Sequence, residues 1–221
     1  MESHILASQL RCPAGAEATT VAQKMNETNG SLNRKCIELL RPTAFDSVLE
    51  IGPGNAAFAG EIISRADNIL YTGLDWSLEM VAEAAQLNQH LVTQGSAQFH
   101  HGSSDRIVFD AGVFDKVLTV HTLYFWEQPA DHLAEIRRVM KPKGLFCLAF
   151  GDRSFMKDLP FTPYGFRLYD ATDACALLQS AGFDILDVYQ HLESGLSNAG
   201  DPVEKLVNII VCQALPKTPQ S

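Results

Sequence analysis

Val48-Leu49-Glu50-Ile51-Gly52-Pro53-Gly54-Asn55-Ala56-Ala57 decides how the rest of the chain is read. A short apolar run, opening at Ser47 and ending at Ile51, stops at two glycines that flank a proline. A run closed that sharply reads as a buried strand feeding a tight turn. Ala56 to Arg65 has helical composition, so the stretch is a strand–turn–helix unit.

The unit recurs downstream. Ile69 to Leu74 reads as a second strand, ending at Asp75. Ser77 suits the N-cap of a helix that turns Met80, Val81, Ala84 and Leu87 inward. Ala97 to His101 and Phe114 to Val120 read as the third and fourth strands. Pro129 to Met140 reads as a helix, with Leu133, Ile136 and Met140 on one face and Lys141 at its carbonyl end. Gly144 to Phe150 is a fifth strand. Such alternation implies an α/β protein with a doubly wound parallel sheet, covered on both faces. Its ligands belong at the carboxyl ends of the strands, near the switch in strand order.

The style changes at both ends. Gly151 to Tyr169 is rich in Phe, Pro and charge. Asp170 caps a helix reaching Ala181, stopped by Gly182. Phe183 to Leu192 and Lys205 to Ala214 read as an antiparallel strand pair. Residues 1 to about 30 are polar and Gly/Ala-rich, with Pro13 and Gly15 breaking any early helix. A helix is predicted only over Ser31 to Leu40, with Leu32, Cys36, Leu39 and Leu40 on one face. Arg41-Pro42 ends it. The domain is therefore placed at 31–215, behind an N-terminal segment (1–30) and before a tail (216–221).

Composition narrows the partners. The chain has 221 residues, 46% apolar and 19% charged, an ordinary composition for one globular domain. No apolar run spans a bilayer, and no leader pattern opens the chain. The formal net charge is −9, without the basic stripe that nucleic acid or an anionic membrane would demand. Cys12, Cys36, Cys147, Cys175 and Cys212 are scattered, which reads as reduced thiols in a cytoplasmic protein. No Cys/His spacing suits a metal, and adjacent His100-His101 point to opposite faces of a strand.

Gly52-Pro53-Gly54-Asn55-Ala56-Ala57 satisfies G-x-G-x-x-A, whose glycines let the backbone turn and approach a ligand. Asp75 follows by about twenty residues, where an acid accepts hydrogen bonds from a ribose diol. To this point NAD and S-adenosylmethionine fit equally. Glu50 separates them. A dinucleotide would bring its pyrophosphate beside this carboxylate, at roughly 4 kcal/mol for like charges about 4 Å apart at an effective dielectric of about 20. S-adenosylmethionine brings a sulfonium and an ammonium, which the carboxylate attracts.

These residues resemble the class I S-adenosylmethionine-dependent methyltransferases, particularly the small group similar to the ubiquinone/menaquinone-biosynthesis enzymes. The likeness spans about residues 30 to 190. It rests on the glycine stretch, on Tyr71-Thr72-Gly73-Leu74-Asp75-Trp76-Ser77 with Met80, on Phe114-Asp115-Lys116-Val117 through Leu123-Tyr124-Phe125-Trp126, and on Ile136-Arg137-Arg138-Val139-Met140-Lys141-Pro142-Lys143-Gly144. It implies a Rossmann-like seven-stranded sheet, mostly parallel, with an antiparallel last strand. It also implies cofactor roles for Glu50, Gly52, Pro53, Gly54 and Asn55 in the loop, and for Asp75, Trp76, Ser77 and Met80 after the second strand. Gly102, Ser103 and Ser104 would meet the adenine edge, and Val120 and His121 would lie near the methionine end. Two departures stand out. Asn55-Ala56 occupies the place of a third glycine, and His121 stands where similar sequences often carry Asn.

His121 is a candidate general base or, equally in keeping with its position, a wall of the cofactor pocket. Tyr124, Phe125, Trp126, Arg153 and Tyr164 are candidates for a small-molecule acceptor site, with Phe155, Phe161, Phe166 and Arg167 nearby. Arg11-Cys12-Pro13 to Met25-Asn26 is a candidate cap over the cofactor. The alternatives are an NAD-dependent oxidoreductase and a protein that binds the cofactor without turnover.

Overall fold

Seven strands form one sheet in the order β3-β2-β1-β4-β5-β7-β6 in the computed structural model, which describes residues 1–196 and 202–215. They are β1 (Ser47–Ile51), β2 (Leu70–Asp75), β3 (Ala97–His101), β4 (Phe114–Val120), β5 (Met140–Gly151), β6 (Phe183–Leu196) and β7 (Pro202–Ala214). The first five pair in parallel, and β7 enters antiparallel to both β5 and β6. The strand order reverses between β1 and β4, so the switch point lies at the carboxyl end of β1.

β1 pairs on both sides, which explains its unbroken apolar run. Val48 points into one core layer, with Ile37, Leu40, Ile62 and Tyr71. Leu49 points into the other, with Val117, Ile136 and Phe146. Burying each such side chain is worth roughly 1.5–3 kcal/mol, so a one-residue slip of β1 would exchange the layers it serves.

The helices are α1 (Ser3–Arg11), α2 (Ala18–Leu40), α3 (Ala59–Ile63), α4 (Leu78–Leu87), α5 (Gln89–Thr93), α6 (Pro129–Val139), α7 (Arg153–Met156) and α8 (Ala171–Ser180). Ser77 caps α4 by accepting from the Met80 N–H. Asp170 caps α8 through the Asp173 N–H, and Gly182 takes φ +84° just past its end. α6 opens on Pro129, whose missing N–H would be an orphan there in any case.

Several expectations are corrected. The helix predicted over 31–40 is the second half of α2, which begins at Ala18. α1 forms before Pro13 and Gly15, which interrupt the chain without preventing an early helix. Leu87, expected inward, is 52% exposed. α3 is shorter than predicted, and α5 was not foreseen. β5 begins at Met140, so Lys141 pairs with Asp115 (2.7 Å) instead of capping α6. β6 and β7 both run further toward their shared turn than predicted. The tail placed at 216–221 lies outside the described residues.

Candidate active site

The carboxyl ends of β1, β2 and β4 open into a cavity of about 420 Å³. Its floor is the turn after β1. The Gly52 N–H bonds to the Leu74 carbonyl at 2.9 Å, and Thr119 Oγ1 donates to the Ile51 carbonyl at 2.8 Å. Gly52 has φ +67°, and a Cβ there would stand 2.5 Å from the Thr122 methyl. Both facts demand glycine. Ala56 takes φ +51° without being glycine. Its carbonyl accepts from Asn88 Nδ2 at 3.2 Å, which helps hold the strained turn.

Two acids stand on this floor. Glu50 is 5% exposed and accepts a 2.6 Å hydrogen bond from the Tyr71 hydroxyl. Burial raises its carboxyl to about 7, against the lowering effect of Tyr71, and the nearby Asp75 adds to the rise. Asp75 accepts from the Gly54 N–H (2.9 Å) with one oxygen and the Ser77 N–H (2.8 Å) with the other. It therefore ties the glycine turn to the start of α4 while lining the cavity. Burial raises its carboxyl too, opposed by those backbone donors.

Gly52, Pro53, Gly54, Asn55, Trp76, Met80, Gly102, Ser103, Ser104, Val120 and His121 also line the cavity, as do Tyr124, Phe125 and Trp126. His121 carries φ +61°. Its Nδ1 lies 2.9 Å from the Tyr124 hydroxyl, which itself accepts from the Gly151 N–H. The Tyr124 proton is thus free to donate to Nδ1, which leaves the imidazole hydrogen on Nε2. Burial and then the Lys205 charge lower His121 to about 4. A histidine so weakly basic is a poor proton acceptor at neutral pH, so this geometry favours the pocket-wall role over the base.

Three expected site residues lie elsewhere. Ser77 does not line the cavity: its hydroxyl caps α4 and donates to the Pro13 carbonyl. Arg153 is held outside by ion pairs with Asp170 and Asp173. Tyr164 is 53% exposed. Arg167 also points away, stacking on Tyr169.

The N-terminal segment covers the cavity. The Arg11 guanidinium sits 4.9 Å over the Trp76 ring and pairs with Glu127 at 3.2 Å. Asn26 donates to Asn55 Oδ1 (3.0 Å), and Asn55 donates to Glu83 (3.0 Å). Thr19 donates to Glu83 as well. The side-chain amide in the third-glycine region thus fastens the loop to α2 and α4. His132 went unnoticed in the sequence because it reads as one more residue of an amphipathic helix. It stacks on Trp126 (4.9 Å, 5°) and bonds to Ser104 Oγ at 2.7 Å, aligning that hydroxyl at the cavity edge. Glu193, Lys205 and Val207 from the last two strands line the cavity and were equally unforeseen.

Among the described residues no helix is long and apolar enough to cross a membrane, and no cluster of His, Cys, Asp or Glu is arranged to hold a metal. All five cysteines are unpaired.

Comparison with known proteins agrees with this geometry. The family described as "Methyltransferase domain" matches residues 49–148. The uncharacterized methyltransferase YdaC of Bacillus subtilis is 25% identical over 78% of this chain and 91% of its own length. A probable S-adenosylmethionine-dependent methyltransferase of Mycolicibacterium smegmatis is 27% identical over 63% of this chain and 52% of its own. Among solved structures, the methyltransferase bound to the Trm112 activator in Haloferax volcanii superposes with TM-score 0.78 at 17% identity, covering 96% of this chain and 98% of that one. The [4+2]-cyclase SpnF superposes with TM-score 0.67 at 17% identity, over 82% and 80%. The chain belongs to the class I S-adenosylmethionine-dependent methyltransferases. It is a methyltransferase enzyme; the likeness to the ubiquinone/menaquinone group is not carried by these relatives.

Proposed function

We propose that the protein binds S-adenosylmethionine in this cavity and methylates a small-molecule acceptor enclosed with it. The observation that carries the reading is Glu50, a buried carboxyl beside the glycine turn. The cavity around it is rich in acids (Asp75, Asp105, Glu127, Asp131 and Glu193), with Arg11 and Lys205 as its basic residues. Such a lining favours a cationic ligand and opposes a pyrophosphate, which weighs against the NAD reading.

When bound, the cofactor supplies a methyl group on an electrophilic sulfonium. Asp75 would hold the ribose hydroxyls, and Trp76 and Met80 the adenine faces, with Ser104 at its edge. Gly52 and Gly54 would border the methionine part, and Glu50 would face its positive charge. Val120 and His121 would shape the methyl end. Tyr124, Phe125 and Trp126 would exclude water from the acceptor, which is mainly what methyl transfer asks of an enzyme. The unpaired cysteines support a reducing, cytoplasmic setting.

Thermal-shift titration tests the reading. S-adenosylhomocysteine should raise the melting temperature by several degrees, and NADH should leave it unchanged. The opposite pattern would restore the dinucleotide reading.

A further inference from the structure

The last two strands do more than close the sheet. β5 ends at Gly151, paired with Val207. The β6–β7 ladder continues past that point, pairing Glu193 with Lys205 and Gly195 with Val203. Lys205 therefore lies two residues, or about 7 Å, beyond the end of β5. This two-stranded ribbon overhangs the strand ends where the cavity opens. Paired residues of an antiparallel ladder share a face, so Glu193, Lys205 and Val207 project together, and all three line the cavity.

The chemistry of the pair is specific. Glu193 Oε1 is buried without a hydrogen-bond partner. Such an oxygen costs about 1–3 kcal/mol until a donor reaches it. Lys205 reaches the Thr28 carbonyl of α2 at 3.4 Å, and its amine is pulled below its usual range by burial. Glu193 and Lys205 thus present an acceptor and a donor side by side, with no net charge between them. The remaining cavity wall is apolar and aromatic: Phe155, Met156, Leu159, Phe161 and Phe166. Phe166 packs against both Phe125 (4.7 Å) and Phe161 (5.4 Å), giving a continuous ring surface.

We propose that Glu193 and Lys205 select the acceptor by its polar head, and that the acceptor is a small aromatic ring bearing a neutral hydroxyl, a phenol. The inference rests on the methyl-transfer reading above. A hydroxyl donates to Glu193 and accepts from Lys205. An ammonium head would be repelled by Lys205, and a carboxylate head by Glu193. In the transfer step the phenol oxygen attacks the methyl carbon and an O–C bond forms. The C–S bond breaks with its electron pair passing to sulfur, and the phenol proton passes to the Glu193 carboxylate and on to solvent. Lys205 steadies the negative charge developing on oxygen.

The test uses three rings of similar size, 4-methylphenol, benzylamine and benzoate, titrated calorimetrically into enzyme saturated with S-adenosylhomocysteine. The phenol should bind at least tenfold tighter than either charged ring, and with S-adenosylmethionine it should yield 4-methylanisole. Glu193→Gln should improve benzoate relative to the phenol at least fivefold. Lys205→Met, which keeps the buried stem, should do the same for benzylamine. A charged ring that binds the unaltered enzyme as tightly as the phenol overturns the proposal. So does binding by none of the three, or a ranking that survives both substitutions. Failure of S-adenosylhomocysteine itself to bind overturns the methyl-transfer reading instead.

Discussion

The floor and the cover of the cavity are built on different principles. The floor is backbone: the glycine turn, the ends of β1 and β2, and two acids fixed by short-range hydrogen bonds. Asp75 and Gly54 are 21 residues apart in sequence, as are Glu50 and Tyr71. The cover is side chains drawn from far along the chain. Arg11 meets Glu127 across 116 residues, and Lys205 meets Thr28 across 177. The floor can hold only what suits its amides and carboxylates, whereas the cover can change without disturbing the sheet. That division separates a donor site shared across a family from an acceptor site particular to one member.

The largest expected effect lies on the floor. Asp75→Ala removes the acceptor for two backbone amides and for the ribose hydroxyls together. Affinity for S-adenosylhomocysteine should fall ten- to a hundredfold by calorimetry. If the affinity held, Asp75 would be only a brace for the loop, and the comparison between floor and cover would fail at its centre.

Glu50 gives the next largest effect, with opposite signs in stability and binding. Its folded value of about 7 exceeds the 4.5 of a free glutamate. Its contribution to stability is therefore full below about pH 4.5 and lost as pH rises through about 7, amounting to about 3 kcal/mol. Glu50→Gln should stabilise the ligand-free protein at pH 8 and there weaken S-adenosylmethionine about tenfold. In the unaltered protein, S-adenosylmethionine should bind more tightly as pH rises from 6 to 8, because only the ionised form attracts the cation. Thermal melts and calorimetry across that range check both signs. A binding curve flat with pH would remove Glu50 from the cofactor site.

On the cover, Arg11→Ala loses a cation–π contact and a half-exposed ion pair, each worth about 1 kcal/mol or less. The melting temperature should barely move, while S-adenosylhomocysteine should dissociate two- to fivefold faster in a stopped-flow chase. A large melting shift with an unchanged off-rate would make the N-terminal segment part of the core instead of a cover.

The same division explains what could be read in advance. β1, β3 and β4 were placed to the residue because buried parallel strands are continuous apolar runs between breakers. Glu50, Gly52, Gly54 and Asp75 follow from that framework by position alone. The first half of α2 escaped because Thr19, Asn26 and Asn29 turn polar groups toward the cavity and the floor, so no apolar period marks that helix. Arg153 was chosen for its charge near aromatic residues, but Asp170 and Asp173, fewer than about twenty residues on, compete for it successfully. Glu193 and Lys205 were invisible because their meaning depends on where β5 stops, a register that no local pattern encodes.

The smallest effect concerns the third-glycine position. Ala56 is 2% exposed and holds φ +51°, a left-handed conformation that costs an alanine about 1–2 kcal/mol. Ala56→Gly relieves that strain. It also adds about 0.5–1 kcal/mol of backbone entropy to be lost on folding and removes a buried methyl worth about 0.8 kcal/mol. These nearly cancel, so stability should change by less than about 1 kcal/mol and cofactor affinity by less than about threefold. The near-neutral outcome is itself informative. It would mean that a glycine here serves backbone conformation, which Asn88 and the Pro53 carbonyl already enforce around Ala56. A gain in S-adenosylhomocysteine affinity beyond tenfold would instead show the Ala56 methyl group obstructing the ligand, and the floor would then be less complete than its hydrogen bonds imply.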